Sequence, residues 1–174
     1  MSLYIEYCQK ADEFVKIQDF ENAINFYTKA FNINMSEILA IRIADMFSRI
    51  SLFENIEQQH FWIQKALEIN PESSLAFRNL AWLYIREENL ELAYPLFKKL
   101  VNGTDPIPDD FFGFACLCFR MKKLTEAWKY FDYRFKKHFG KTDYPNIDKP
   151  FWNGEKTNQT LLITQLFIHN LYFF

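Results

Sequence analysis

A repeat of about 34 residues is the feature that most constrains how this chain folds. One marker position recurs at separations of 36, 34 and 34 residues, and it is occupied by Ala23, Gln59, Ala93 and Ala127. A second marker keeps the same spacing and is occupied by Ala30, Ala66, Leu100 and Arg134. A period of this length is typical of stacked two-helix units, each of which buries its apolar face only against its neighbours. We therefore predict an all-α solenoid rather than a globule.

The segments around these markers share one helical pattern. The third unit shows it best, with Phe77-Arg78-Asn79-Leu80-Ala81-Trp82-Leu83-Tyr84 followed by Ala93 and Phe97. The second unit ends in Lys65-Ala66-Leu67-Glu68-Ile69-Asn70-Pro71, where a proline just beyond the helix end stops the unit. These segments resemble the tetratricopeptide repeat (TPR), four times over. The resemblance implies a non-enzymatic α-solenoid whose first helices line a concave groove that binds other proteins.

The repeats divide the chain into an array and an extension. We place a TPR array at 1–139 and a linker with a hydrophobic C-terminal extension at 140–174. The repeats fall at about 4–37, 38–73, 74–105 and 108–139. Repeat two departs from the pattern, because its turn is two residues longer and Gln59 replaces the expected alanine. In repeat three, Pro95 falls inside the second helix and should bend it, at a cost of about 3 kcal/mol if unrelieved.

Local signals predict how the helices begin and cross. Asp19 is a predicted N-cap for the second helix of repeat one. Pro108-Asp109-Asp110 places acidic residues at a predicted helix N-terminus, where the helix dipole favours them. Small residues at Ala11, Ala23 and Ala30 allow two helices to approach to about 8–10 Å.

Composition and charge favour a globular protein-binding chain over a nucleic-acid binder. Half of the 174 residues are hydrophobic (49%) and 19% are aromatic, which suffices to bury a core. The net charge is −2, so no global field attracts nucleic acid. A basic stretch at 120–141 falls at a turn and at a helix C-terminus, where the dipole favours cations. We expect a protein or peptide partner and no nucleic acid.

The N-terminus and the cysteines indicate the compartment. The segment Met-Ser-Leu-Tyr-Ile-Glu-Tyr lacks the basic start and apolar core of a signal peptide. No run of 18 apolar residues is present, so we expect no membrane span. Three cysteines fit reduced thiols in the cytoplasm. We therefore expect a cytoplasmic protein.

Candidate catalytic and metal-binding groups are few. The histidines His60, His138 and His169 have no partner His or Cys at ligand spacing, so we expect no metal and no cofactor. In Cys116-x-Cys118 the two thiols lie on different helix faces, with Cys118 on the buried stripe and Cys116 on the groove side. The pairs Glu87-Glu88 and Asp109-Asp110 are interpreted as a solvated turn and a helix start, not as acid–base pairs.

The TPR resemblance implies a ligand-binding face on the first helices of repeats three and four. Aromatic and cationic side chains meet there and favour a peptide with a hydrophobic anchor and an acidic group. The predicted peptide-binding groove consists of Arg78, Asn79, Trp82, Ile85, Arg86, Phe112, Phe119 and Arg120. The alternative is that some of these aromatics pack between adjacent repeats.

Two known TPR groove types match poorly. The carboxylate clamp that grips chaperone C-termini needs Lys and Asn on the first repeat, where Cys8 and Asp12 stand. Transferase-type arrays carry a ladder of asparagines, of which only Asn79 matches. The equivalent places in the other repeats are held by Gln9, Asp45 and Gly113.

A second resemblance concerns the end of the array. The segments Tyr130-Phe131-Asp132-Tyr133-Arg134-Phe135, Lys149-Pro150-Phe151-Trp152-Asn153-Gly154-Glu155 and Thr160-Leu161-Leu162-Ile163 carry it. They resemble the hinge of bacterial TPR-linked glycosyltransferases of the heptosyltransferase and O-GlcNAc transferase type. The family's glutamate–glutamine–glycine turn is replaced by Gln165-Leu166-Phe167-Ile168-His169. The alternative function is therefore the substrate-recruiting N-terminal arm, or a truncated relic, of such an enzyme.

The segment 160–174 is uncharged apart from a proton on His169 and has high β-propensity. We predict a strand, which must be covered because an exposed apolar strand aggregates. Either it folds back over Trp128 and Phe135, or it pairs between two chains to make a homodimer.

Overall fold

The computed structural model describes residues 2–51, 53–131 and 133, which form eight α-helices and no β-strand. The helices are α1 Leu3–Lys16, α2 Phe20–Ile33, α3 Glu37–Ile50, α4 Ile56–Ile69, α5 Ser74–Arg86, α6 Leu90–Val101, α7 Pro108–Arg120 and α8 Leu124–Phe131. None of these described helices is both long and apolar enough to cross a membrane. The predicted boundary at 139, the extension 140–174 and its predicted strand lie outside the described residues.

The helices pack in consecutive pairs. In each pair the two helices contact each other, α1 with α2, α3 with α4, α5 with α6 and α7 with α8. The second helix of each pair then packs on the first helix of the next. This arrangement confirms the predicted all-α solenoid of helix-turn-helix repeats over the described residues.

Three of the four intra-repeat turns have the same conformation. Gln18, Glu88 and Lys122 are left-handed, with φ of 61°, 61° and 60°. None of them is glycine, so each conformation costs about 1–2 kcal/mol. The turn of repeat two differs, because α3 ends at Ile50 and α4 begins only at Ile56. The longer turn predicted for repeat two is confirmed.

Small residues lie where the paired helices cross. The alanines at these crossings are fully buried, namely Ala11, Ala23, Ala30, Ala66, Ala93 and Ala127. Gln59 stands in the same register on α4 and is only 1% exposed. Around the crossings lie two apolar clusters, one spanning α1 to α5 and one spanning α5 to α8. A much larger polar side chain therefore occupies an alanine position at the centre of the array.

The helix starts agree with their sequence signals. Asp19 is the N-cap of α2, and its Oδ1 accepts a hydrogen bond from the Asn22 N–H at 3.2 Å. The helix α7 begins at Pro108, where the absent N–H needs no helical partner. Pro95 is accommodated within α6, which runs unbroken from Leu90 to Val101. The bend at Pro95 stays a prediction.

Candidate functional site

The helices α5 and α7 lie side by side and carry all the predicted site residues. Arg78 near the start of α5 meets Asp110 near the start of α7. At the other end, the Arg120 guanidinium reaches the carbonyl of Ile85 at 3.4 Å. The start of α5 thus contacts the start of α7, and the end of α5 contacts the end of α7. The two helices therefore run parallel. We call the surface they form the α5–α7 face.

Arg78 is held in an ion pair between repeats three and four. Its Nε lies 2.5 Å from Oδ1 of Asp110, and its Nη2 lies 2.8 Å from Oδ2. Asp110 is fully buried, and Oδ2 also accepts the backbone N–H of Ile107 at 3.0 Å. A buried carboxylate requires such partners, because its transfer out of water costs several kcal/mol. The Arg78 charge is therefore paired within the array, at the junction of repeats three and four, and a ligand role for Arg78 stays a prediction.

Trp82 packs between the same two repeats. Its ring meets Phe97 edge-on, with ring centroids 5.3 Å apart. A Cβ atom on Gly113 would lie 2.8 Å from both rings, so glycine is needed for this close approach. The packing alternative raised from the sequence therefore holds for Trp82, and only the part of its side chain that stays half-exposed is accessible.

Two further predicted groove residues make their contacts within the array. Ile85 is 1% exposed, so the prediction that it lines the groove is wrong, because its side chain belongs to the core of repeats three and four. The Asn79 amide donates to the Leu75 carbonyl of its own helix at 2.8 Å. Asn79 is partly exposed, and its side-chain amide already has a hydrogen-bond acceptor within α5.

Arg120 is also engaged. Its Nη2 donates to the carboxylate of Glu88, which lies in the turn after α5. Together with the bond from Nη1 to the Ile85 carbonyl, this pair joins the ends of α5 and α7. The Ile85 carbonyl also accepts the backbone N–H of Glu88 at 3.1 Å, so Arg120 adds a second hydrogen bond at the end of α5. Arg120 therefore closes the C-terminal end of the repeat junction.

Arg86 has a different environment. Its Nη2 donates to Oε1 of Gln59 at 2.6 Å, which joins α5 to α4. Within the described part of the chain, Nε of Arg86 and Nε2 of Gln59 are buried and have no hydrogen-bond partner. Burial lowers the pKa of Arg86, and the carboxylates of Glu87 and Asp45 oppose that shift. The cation is thus partly desolvated beside a neutral amide.

The two neighbouring carboxylates have partners of their own. A carboxylate oxygen of Glu87 lies 2.9 Å from Nε2 of His60, and one of Asp45 lies 2.9 Å from Nε of Arg49. Both therefore act on Arg86 through space and not through a hydrogen bond. Glu87 and Glu88, interpreted from sequence as a solvated turn, bind side chains of neighbouring repeats.

An aromatic cluster lies at the end of the α5–α7 face, formed by Phe112, Phe119, Trp128 and Phe131. Phe119 meets Trp128 and Phe131 edge-on at centroid distances of 5.0 and 5.2 Å. Phe112 stacks on Phe131 at 6.0 Å. Trp128 is 61% exposed and was missed as a site residue, because sequence reasoning placed it beneath the tail. Its spacing of three from Phe131 on α8 was the available signal.

The two thiols of α7 are buried. Cys118 is fully buried, and burial raises its pKa to about 12, so it stays a protonated thiol at neutral pH. Cys116 is only 6% exposed, which corrects its placement on the accessible groove side. In residues 2–51, 53–131 and 133, no three His, Cys, Asp or Glu side chains come together as metal ligands would.

Comparison with known proteins identifies one repeat unit in the chain. The family model of the tetratricopeptide repeat matches residues 7–34, which comprise most of α1 and all of α2. The match identifies one tetratricopeptide repeat at α1 and α2, and the eight described helices pack as an α-solenoid of helix pairs. The crystal structure of MamA protein aligns with a TM-score of 0.45 at 15% identity, covering 85% of this chain and 98% of that one. No curated protein sequence matches significantly.

Proposed function

We propose that this chain is a protein-interaction module that binds a peptide segment of a partner along the α5–α7 face. The observation that carries the proposal is Trp128, which leaves 61% of its surface exposed within the aromatic cluster. Large aromatic side chains dominate binding energy when a partner buries them. An exposed ring supported edge-on by Phe119 is therefore a preformed anchor point for an apolar ligand side chain.

The remaining charge on the face indicates the rest of the ligand. Arg78 and Arg120 are balanced by Asp110 and Glu88, whereas Arg86 faces a neutral amide. A peptide with one large apolar side chain and one acidic group complements this pattern by burial and by a charge-assisted hydrogen bond.

The alternative, the arm of a TPR-linked glycosyltransferase, depends on the segments between about 130 and 164. Most of those residues lie outside the described part of the chain, so the alternative stays a prediction. The cytoplasmic location and the homodimer through the tail also stay predictions.

The experiment is a selection of short peptides from a randomised display library against the full chain. The affinity of an enriched peptide is then measured by fluorescence anisotropy on the wild type, Trp128→Ser and Phe61→Ser. Phe61 is a matched control, since it is 54% exposed and meets Trp62 edge-on, but lies on α4.

We expect Trp128→Ser to weaken binding by about tenfold or more, as a hot-spot residue does, and Phe61→Ser to leave it unchanged. Equal affinity for all three proteins would show that the binding site does not include Trp128 and would contradict its location on this face. A library that enriches no peptide would contradict peptide binding altogether.

A further inference from the structure

The described arginines differ in what balances their charge. Four of them bind a carboxylate, in the pairs Arg42–Asp12, Arg49–Asp45, Arg78–Asp110 and Arg120–Glu88. Arg86 alone among the described arginines donates only to a neutral group, the amide oxygen of Gln59. It is also partly buried, so water compensates its charge less well than at the surface. The structure therefore keeps one oriented guanidinium whose charge no direct partner neutralises.

Gln59 explains the orientation of that guanidinium. It occupies the register that alanine holds in the other three repeats, and it is 1% exposed. From this buried position its amide oxygen fixes Nη2 of Arg86 at 2.6 Å. An amide holds the cation in place without cancelling its charge, whereas a carboxylate at the same position would do both. The departure of repeat two from the TPR pattern thus has a physical consequence at the junction with repeat three.

The unmet hydrogen-bonding groups at this junction are all donors. They are the Nε–H of Arg86 and the amide N–H groups of Gln59, which are buried and have no partner among the described residues. The group that complements a cation without a direct counter-charge is an oxygen acceptor carrying negative charge. A carboxylate matches the planar guanidinium in two-point geometry, which a carbonyl oxygen does not. The Arg86 side chain as a whole is half-buried.

We propose that Arg86 binds a carboxylate of the peptide ligand, from an Asp or Glu side chain, and that Gln59 is the positioning residue that orients Arg86. This inference rests on the proposed function and specifies its ligand. The carboxylates nearest to Arg86, Asp45 and Glu87, do not occupy the place of the ligand, because their bonds go to Arg49 and His60. Repulsion from these two carboxylates restricts the approach of the ligand to the side of Arg86 that faces away from them.

The test compares two pools of fluorescein-labelled, terminally blocked peptides. Each peptide contains one phenylalanine, a set of randomised uncharged residues and a set of fixed positions. The fixed positions carry Glu in one pool and Gln in the other, and the two pools are otherwise identical. We expect the Glu pool to bind the full wild-type chain about tenfold more tightly than the Gln pool. In Arg86→Gln the two pools should bind within about twofold of each other.

Gln59→Glu tests the positioning role. It gives Arg86 the same kind of partner that Arg78 has in Asp110, so it should keep the fold and abolish the preference for the Glu pool. A residue with only a structural role would change the binding of both pools equally and leave their ratio intact. Arg49→Gln is the control, because it removes an arginine that already has a carboxylate partner, and it should keep the preference.

The outcomes separate this inference from the proposed function. If the wild type binds both pools equally, peptide binding stands and the role of Arg86 falls. A Glu preference that survives in Arg86→Gln overturns the assignment to Arg86, and one that survives in Gln59→Glu overturns the positioning role of Gln59. If neither pool binds, both the proposed function and the carboxylate site are overturned.

Discussion

Arg78 and Arg86 are the same residue type, about two turns apart on one helix, yet their environments are opposite. Arg78 binds a fully buried carboxylate with two short hydrogen bonds, whereas Arg86 binds a buried neutral amide with one. The first arrangement uses the charge to hold repeats together, and the second leaves it without a direct counter-charge. The partner and not the arginine decides which role a cation on a solenoid face has.

The largest expected effect comes from breaking the buried pair. Asp110→Ala leaves Arg78 without its partner and the Ile107 N–H without its acceptor. We expect the free energy of unfolding to fall by about 3–5 kcal/mol, because removing one member of a buried pair strands the other charge. Urea denaturation followed by circular dichroism measures this change. Asp105→Ala, in the exposed loop before α7, is the control and should change stability by less than about 0.5 kcal/mol.

The next effect concerns the packing behind that pair. Gly113→Ala places a methyl group 2.8 Å from the rings of Trp82 and Phe97, which are not flexible chain ends. Overpacking of this kind should cost about 1–3 kcal/mol of unfolding free energy. Phe97→Leu removes one of the two rings that the new methyl group would meet. The double variant should therefore lose less unfolding free energy than the sum of the losses in the two single variants. Additive losses in denaturation would show that Gly113 does not contact Phe97.

The sequence predicted the scaffold better than the site. The period, the cap at Asp19 and the longer turn of repeat two follow from local patterns, because they depend on residues close in the chain. The partner of each cation does not, because it depends on which side chain of another repeat comes close in the folded array, as Asp110 does to Arg78. A usable signal was present, since Arg78–Asp110 and Glu88–Arg120 are both 32 residues apart, which is nearly one repeat.

A smaller effect distinguishes a tyrosine that bridges repeats three and four. The hydroxyl of Tyr94 donates to Glu126 at 2.8 Å, and this bond raises the pKa of Tyr94 to about 12 from 10.0. The folded state therefore holds this proton more tightly than the unfolded state. Its contribution to stability is fully present below pH 10 and is lost as the pH rises from 10 to 12.

We expect the phenolate absorbance of the folded wild type to include one tyrosine that ionises near pH 12 and is absent from Tyr94→Phe. The buried Tyr27, which donates to Asp12 and has its pKa raised to about 12 by burial, should titrate late in both proteins. A titration unchanged by Tyr94→Phe would contradict the bond to Glu126.

The smallest effect belongs to an exposed ion pair. Lys99 on α6 reaches Glu72 before α5 at 2.7 Å, and their side chains are 49% and 77% exposed. Water and salt screen such a pair, so Glu72→Gln should change the unfolding free energy by less than about 1 kcal/mol. A loss as large as that of Asp110→Ala would show that exposure does not separate the two kinds of pair.

The comparison of Arg78→Gln with Arg86→Gln in one urea-denaturation series tests the central claim most directly. Arg78→Gln leaves the buried Asp110 charge unpaired and should lower the unfolding free energy by about 3–5 kcal/mol. Arg86→Gln loses one hydrogen bond to a neutral amide but also removes a desolvated cation, so it should cost at most about 1 kcal/mol. Equal losses in the two variants would mean that Arg86 is as structural as Arg78 and would contradict the account.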